Sequence, residues 1–126
     1  MPLTRLSVPT HLPLVQVKAL ADAVQTGLVS TCNVPVDDCF QLITRFDARD
    51  KNLNPTFGGM QRTAGACIVE ITLLQGRTDE QKRALYRCVT DEAVAAGFKA
   101  DDIMMALTEN AAIDWTLGCG LAFTGH

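Results

Sequence analysis

The chain holds 126 residues, 48% of them hydrophobic and 20% charged, with a formal net charge of −3. That length suits one compact unit spanning 1–126 and is short for two ordinary domains. Its basic residues are scattered rather than clustered, which excludes the electrostatic stripe that nucleic-acid binding requires. No apolar run approaches a membrane span and the start lacks a signal-peptide layout, so a cytoplasmic protein is expected.

In chain order, Pro2 comes first. If the initiator Met1 is removed, Pro2 carries a secondary amine on a rigid ring, at the mouth of an alternating apolar segment, Leu3 to Val8, closed by Pro9. A terminal amine held by a strand is open to the desolvation and charge pairing that tune a catalytic group. After Pro13, Val17, Leu20, Ala21, Val24 and Leu28 recur at helical spacing, and a turn at Asn33, Pro35, Asp37 and Asp38 leads to a second strand through Phe40, Leu42, Ile43 and Phe46. The polar segment Asp47 to Asn54 and a loop with Pro55, Gly58 and Gly59 precede a third strand, Cys67 to Leu74. Thr78 and Gln81 match a capping box for a helix running through Ala96, with Gln81, Ala84, Leu85, Cys88, Val89 and Ala93 as its inner face and Gly97 as its stop. Ile103 to Leu107 gives a fourth strand.

The order strand, helix, strand thus occurs twice, and Asp37, Asp38 and Thr44 recur as Asp101, Asp102 and Thr108, each the same distance further along. Each unit is expected to cross over right-handed with parallel strands. Two units joined edge to edge give an α+β fold, a four-stranded mixed sheet with two helices on one face. The uncovered face and the apolar surplus predict a subunit of an oligomer, with the tail from Trp115 to Phe123 available for pairing across subunits. Cys32, Cys39, Cys67, Cys88 and Cys119 are odd in number and never spaced C-x-x-C, so they read as reduced core residues. With only His11 and His126 beside them, no metal site is expected.

If the first strands of the two units are antiparallel at the sheet centre, the start of strand one meets the end of strand three. Arg77 follows strand three and precedes the second helix, whose N-terminus also favours an anion. A small carboxylate substrate is therefore expected between Pro2 and Arg77. Asp38 falls at the same end, whereas its repeat mate Asp102 goes to the opposite end, which has neither a proline amine nor an arginine.

Pro2, the repeated unit, Val36-Asp37-Asp38-Cys39-Phe40-Gln41-Leu42-Ile43-Thr44, the turn Gly76-Arg77-Thr78, and Glu109-Asn110-Ala111-Ala112-Ile113-Asp114-Trp115-Thr116-Leu117-Gly118 together resemble the tautomerase superfamily, nearest to the malonate semialdehyde decarboxylases. The resemblance implies a MIF-like β-α-β-β-α-β subunit, a homotrimer, and cofactor-independent chemistry with Pro2 as the catalytic amine. By the same resemblance Asp38 positions or activates water and holds Pro2 protonated, Arg77 binds the substrate carboxylate, and Trp115 and Leu117 line the pocket. Two departures stand out. Gln75 or Leu74 occupies the place of a second arginine found in many decarboxylases, and Leu117 that of a phenylalanine. The His and Glu that accompany the proline in cis-type haloacrylate dehalogenases find no match.

The implied chemistry is consistent with the residues. Loss of carbon dioxide from a 3-oxo acid leaves an enolate, which a cationic amine stabilises, while an arginine orients the carboxylate and apolar walls disfavour it. Hydration of an unsaturated acid is a side activity of the same site. A neutral Pro2 would instead move protons in a 2-keto acid as a tautomerase, and a retained Met1 would favour a non-catalytic, cytokine-like binding scaffold. Taken singly, Asp38 reads as a turn residue, Arg77 and Arg62 as surface charges, and Trp115 and Tyr86 as packing residues.

Overall fold

The alternation of the first segment forms β1 (Pro2–Pro9) in the computed structural model, which describes residues 1–125 and so leaves His126 outside. Thr4, Leu6 and Val8 point inward while Arg5 faces out, the period-two pattern of a strand covered on one side. Three more strands follow, β2 (Gln41–Phe46), β3 (Cys67–Leu74) and β4 (Ile103–Asn110), in the sheet order β2-β1-β3-β4. β1 runs parallel to β2 and antiparallel to β3, and β4 runs parallel to β3. Pro2 therefore pairs with Leu73, and Leu73 with Glu109, which puts the start of β1 in one row with the ends of β3 and β4.

Helix α1 (Leu14–Cys32) buries Val17, Leu20, Ala21, Val24, Gly27, Leu28 and Cys32, which recur every three to four residues as one stripe. It ends at Asn33, a residue type that tolerates the left-handed φ of 57° found there. Helix α2 (Asp79–Ala95) opens with the expected capping box: Gln81 N–H donates to Thr78 Oγ1 at 3.1 Å and Thr78 N–H to Gln81 Oε1 at 2.9 Å. Both helices lie on one face of the sheet, and the core forms where Leu6, Val69 and Ile71 meet Leu20, Leu28, Leu85 and Val89. The helices pack tightly at Gly27, where an added Cβ would lie 2.9 Å from Val89 Cγ2 and 3.0 Å from Leu85 Cδ1.

The other sheet face carries exposed Leu42 and Met104. Several sequence expectations need correction. Ala84 and Tyr86 of α2 are exposed, because the contact with α1 narrows the buried stripe to Leu85, Val89 and Ala93. Cys32 and Cys67 are core residues, but Cys39 and Cys119 lie exposed in loops and Cys88 is half-buried. Apart from these corrections, the tail makes contacts within the chain, Thr116 bridging to Ala122 and Phe123 N–H donating to the Trp115 carbonyl at 2.9 Å. Among the described residues no helix is long and apolar enough to cross a membrane.

Candidate active site

The loop between α1 and β2 is short and internally fixed. Asp38 N–H donates to the Pro35 carbonyl at 3.0 Å, Gln25 Nε2 of α1 donates to the Asp38 carbonyl at 3.3 Å, and Thr4 N–H ties β1 to the Phe40 carbonyl at 2.9 Å. These ties set the Asp38 carboxylate over the start of β1, where its Oδ2 lies 3.1 Å from the amine of Met1. The Asp38 side chain is 16% exposed, and its Oδ1 is buried without a hydrogen-bond partner among the described residues. A buried carboxylate oxygen left in this state is costly unless a donor reaches it.

Arg77 lies at the same end of the sheet but is turned toward backbone. Its Nε and Nη2 donate to the Cys32 carbonyl at 3.2 and 3.1 Å, and Nη1 donates to the Leu74 carbonyl at 3.1 Å. The guanidinium thus satisfies one of the orphan carbonyls at the end of α1 and clamps that end to the β3–α2 turn. Of its five N–H groups, one on each terminal nitrogen stays uncommitted to these carbonyls.

β4 lines the other side of this turn. Glu109 Oε1 pairs with Lys82 Nζ of α2 at 2.8 Å. The Lys82 hydrogen bond holds the Glu109 carboxyl below the usual carboxylate range, and the same bond raises Lys82. The Asn110 carbonyl accepts Gln75 N–H at 2.8 Å, while Asn110 Oδ1 accepts the Trp115 indole N–H at 2.6 Å.

The structure therefore brings the terminal amine and Asp38 into contact, and ties Arg77 and Trp115 to the strand ends beside them. Leu117 stands apart: 54% exposed, it lines a shallow depression with Leu121, Ala122 and Phe123 of the tail. Arg62 braces its own loop, Nη1 donating to the Asn54 and Phe57 carbonyls at 3.0 and 2.9 Å. At the opposite end of the sheet Asp102 is 4% exposed, and it accepts Thr63 N–H at 2.7 Å and the Thr63 hydroxyl at 2.5 Å. A threonine thus supplies the donors there that the chain terminus supplies to Asp38. Residue-by-residue reading missed Lys82 and the roles of Glu109 and Asn110. The one available signal was the Glu-Asn pair immediately after a strand.

A family model described as "Tautomerase enzyme" matches residues 38–118. The chain is 31% identical over 109 residues to "Probable tautomerase YusQ" of Bacillus subtilis (strain 168), covering 86% of each protein. Among solved structures, an FG41 malonate semialdehyde decarboxylase inhibited by 3-bromopropiolate is 32% identical with a TM-score of 0.88, covering 94% of this chain and 91% of that one. A second malonate semialdehyde decarboxylase, studied for its decarboxylase and hydratase activities, is 27% identical with a TM-score of 0.87, covering 94% and 92%. The fold, the strand opened by Pro2 and these relatives agree, and the chain belongs to the tautomerase family of enzymes.

Proposed function

We propose that the chain decarboxylates a small 3-oxo acid such as malonate semialdehyde, using the Pro2 amine exposed by removal of Met1. The observation that carries this reading is the 3.1 Å contact between the Met1 amine and a largely buried Asp38. Consecutive backbone nitrogens lie roughly 3 Å apart by bond geometry, so a Pro2 terminus begins within reach of the same carboxylate. One N–H of that amine is the kind of donor that the buried Asp38 Oδ1 lacks. An opposite charge at this distance favours the ammonium form of the amine.

With Pro2 cationic, one N–H faces Asp38 and the other donates to the carbonyl oxygen of the substrate. The free N–H groups of Arg77 hold the carboxylate turned out of the carbonyl plane. The bond from the carboxylate carbon to C2 then breaks, its electron pair forms the enolate, carbon dioxide leaves, and C2 takes a proton from the Pro2 ammonium, which water restores, to give the aldehyde. Negative charge grows on an oxygen already facing a cation, so the stabilisation is stronger in the transition state than in the ground state. Trp115 supplies apolar surface that disfavours the carboxylate relative to carbon dioxide. Asp38 can also orient water, which supports hydration of an unsaturated acid as a side activity. Covering the exposed sheet face and the tail by two further copies, in a homotrimer, accounts for exposed Leu42, Met104 and Leu121.

The 31% identical probable tautomerase favours a second reading, in which a neutral Pro2 takes a proton from a 2-keto acid or its enol and returns it elsewhere. A ¹⁵N NMR titration of the Pro2 nitrogen, on protein whose intact mass confirms loss of Met1, separates the two. A cation at pH 7 with carbon dioxide released from malonate semialdehyde supports decarboxylation. A free base at pH 7 with ketonisation of an enol acid supports tautomerisation. Retention of Met1 with neither turnover moves a cytokine-like binding scaffold ahead of both.

A further inference from the structure

Trp115 is the only tryptophan of the chain, and it is half-buried. After β4 the chain makes a single 3-10 turn, Ala112–Asp114. The turn is closed by Asp114 Oδ2 accepting Ala111 N–H at 2.9 Å and by Trp115 N–H donating to the Ala112 carbonyl at 3.1 Å. That closure returns the indole to the strand end, where its N–H donates to Asn110 Oδ1 at 2.6 Å. An indole nitrogen can only donate, so the amide oxygen must face it, and the orientation of the Asn110 side chain is fixed by chemistry. On its backbone side the same residue pairs with Leu74 and accepts Gln75 N–H at 2.8 Å, two residues before Arg77. One residue thus holds the apolar wall and the arginine turn in a fixed relation.

We propose that Asn110 is a positioning residue of the active site, acting through the Trp115 indole that it orients toward the turn carrying Arg77. This rests on the decarboxylase reading for its catalytic consequence, but the positioning itself is measurable without any substrate. Asn110→Ala removes the acceptor and keeps the backbone pairing of β4, so the fold is retained and the indole is released. Trp115→Phe keeps a ring at the position and removes the indole N–H that the Asn110 side chain accepts.

The test is a double-mutant cycle on the processed protein, read in two ways. In the first, the single indole N–H resonance of ¹⁵N-labelled protein is followed. It is expected to move upfield and exchange faster with solvent in Asn110→Ala, and to stay in place in Thr116→Ala, a neighbouring control. In the second, kcat/KM for malonate semialdehyde is expected to fall about tenfold in Asn110→Ala, the effect of one lost hydrogen bond. It is expected to change less than twofold when the same substitution is made in Trp115→Phe. An unchanged indole resonance overturns the inference whatever the activity. Equal losses in the two backgrounds also overturn it, since Asn110 would then act other than through Trp115. If the wild-type protein turns over no 3-oxo acid, the decarboxylase reading fails, while the indole resonance still decides whether Asn110 sets Trp115.

Discussion

Replacing Arg77 tests two roles that coincide in one side chain, and their sizes differ enough to be separated. The guanidinium gives three N–H groups to two carbonyls at 3.1–3.2 Å. Hydrogen bonds to a charged group contribute about 1.5–3 kcal/mol when buried. Arg77 is only half-buried, and water reaches a bared carbonyl at a helix end, so the whole clamp is expected to contribute about 1–2 kcal/mol. Unfolding entropy of about 2.1 cal/mol/K per residue gives roughly 0.26 kcal/mol/K for this length, so Arg77→Ala should lower Tm by about 4–8 °C. If the protein is a trimer the midpoint depends on concentration, so both proteins are compared at one subunit concentration. Turnover is then measured well below both midpoints. Loss of a charged contact to a substrate carboxylate is expected to cost about 10–100-fold in kcat/KM. Arg77→Lys should recover part of the stability but little of the activity, because an ammonium cannot span two carbonyls and a carboxylate as a planar fork does. An unchanged Tm would refute the clamp. An unchanged kcat/KM with a lowered Tm would refute anion binding and leave Arg77 as a purely structural residue.

Other predictions follow from single contacts. Asp38→Asn is expected to reduce decarboxylation and to make the Pro2 nitrogen lose its proton at a lower pH, read by the same ¹⁵N titration used for wild type. Asp102→Ala strands two donors of Thr63 and should cost about 2–4 kcal/mol in urea unfolding. Because Asp102 lies at the far end of the sheet, kcat/KM should stay unchanged while the protein is folded. Gly27→Ala forces a Cβ against Val89 and Leu85. The overpacking cost of about 1–3 kcal/mol outweighs the roughly 1 kcal/mol gained in helix propensity, so a net loss of about 1 kcal/mol is expected. At pH 8 a thiol reagent should modify exposed Cys39 and Cys119 and spare Cys67, whose thiol burial pushes up to about 11. The unfolded thiol loses its proton first, so the Cys67 contribution to stability is complete below pH 9 and is lost as pH rises toward 11.

Much of this fold was legible because its signals are local. The α1 stripe, the Thr78 capping box and the alternation of β1 and β3 each lie within one element, and all appear where their patterns place them. The misses have a common cause in tertiary pairing. Apolar alternation marks β4 only as far as Leu107, yet the strand runs on to Asn110 because Thr108, Glu109 and Asn110 continue the ladder opposite Thr72, Leu73 and Leu74. Glu109 and Asn110 carry no strand signal of their own, yet Glu109 pairs with Lys82 of α2 and Asn110 braces the arginine turn and Trp115. Likewise Arg77 satisfies a carbonyl at Cys32, 45 positions earlier, a partnership that exists only once α1 packs beside the loop. Helical spacing puts Ala84 on the inner face of α2, yet it is exposed, because the buried stripe narrows to Leu85, Val89 and Ala93.

The internal repeat gives the strongest argument for where chemistry resides. Asp38 and Asp102 occupy related positions at opposite ends of one sheet, each a shielded carboxylate facing the chain that enters a central strand. At the second end the chain runs continuously through Thr63, Gly65 and Ala66 into β3. The donors offered to Asp102 are therefore an amide and a hydroxyl, neither of which changes protonation near neutral pH. At the first end the chain starts, and under the proposed reading the donor is a secondary amine that can gain and lose a proton. Under that reading the two repeat-related carboxylates differ in function because Asp38 faces a titratable nitrogen and Asp102 a threonine. Restoring Met1 to a protein that has lost it, through a Pro2 context that blocks its removal, should therefore abolish turnover while leaving the Asp38 ion pair and the fold intact. Activity that survived such blocked processing would show that the Pro2 amine is not the catalyst.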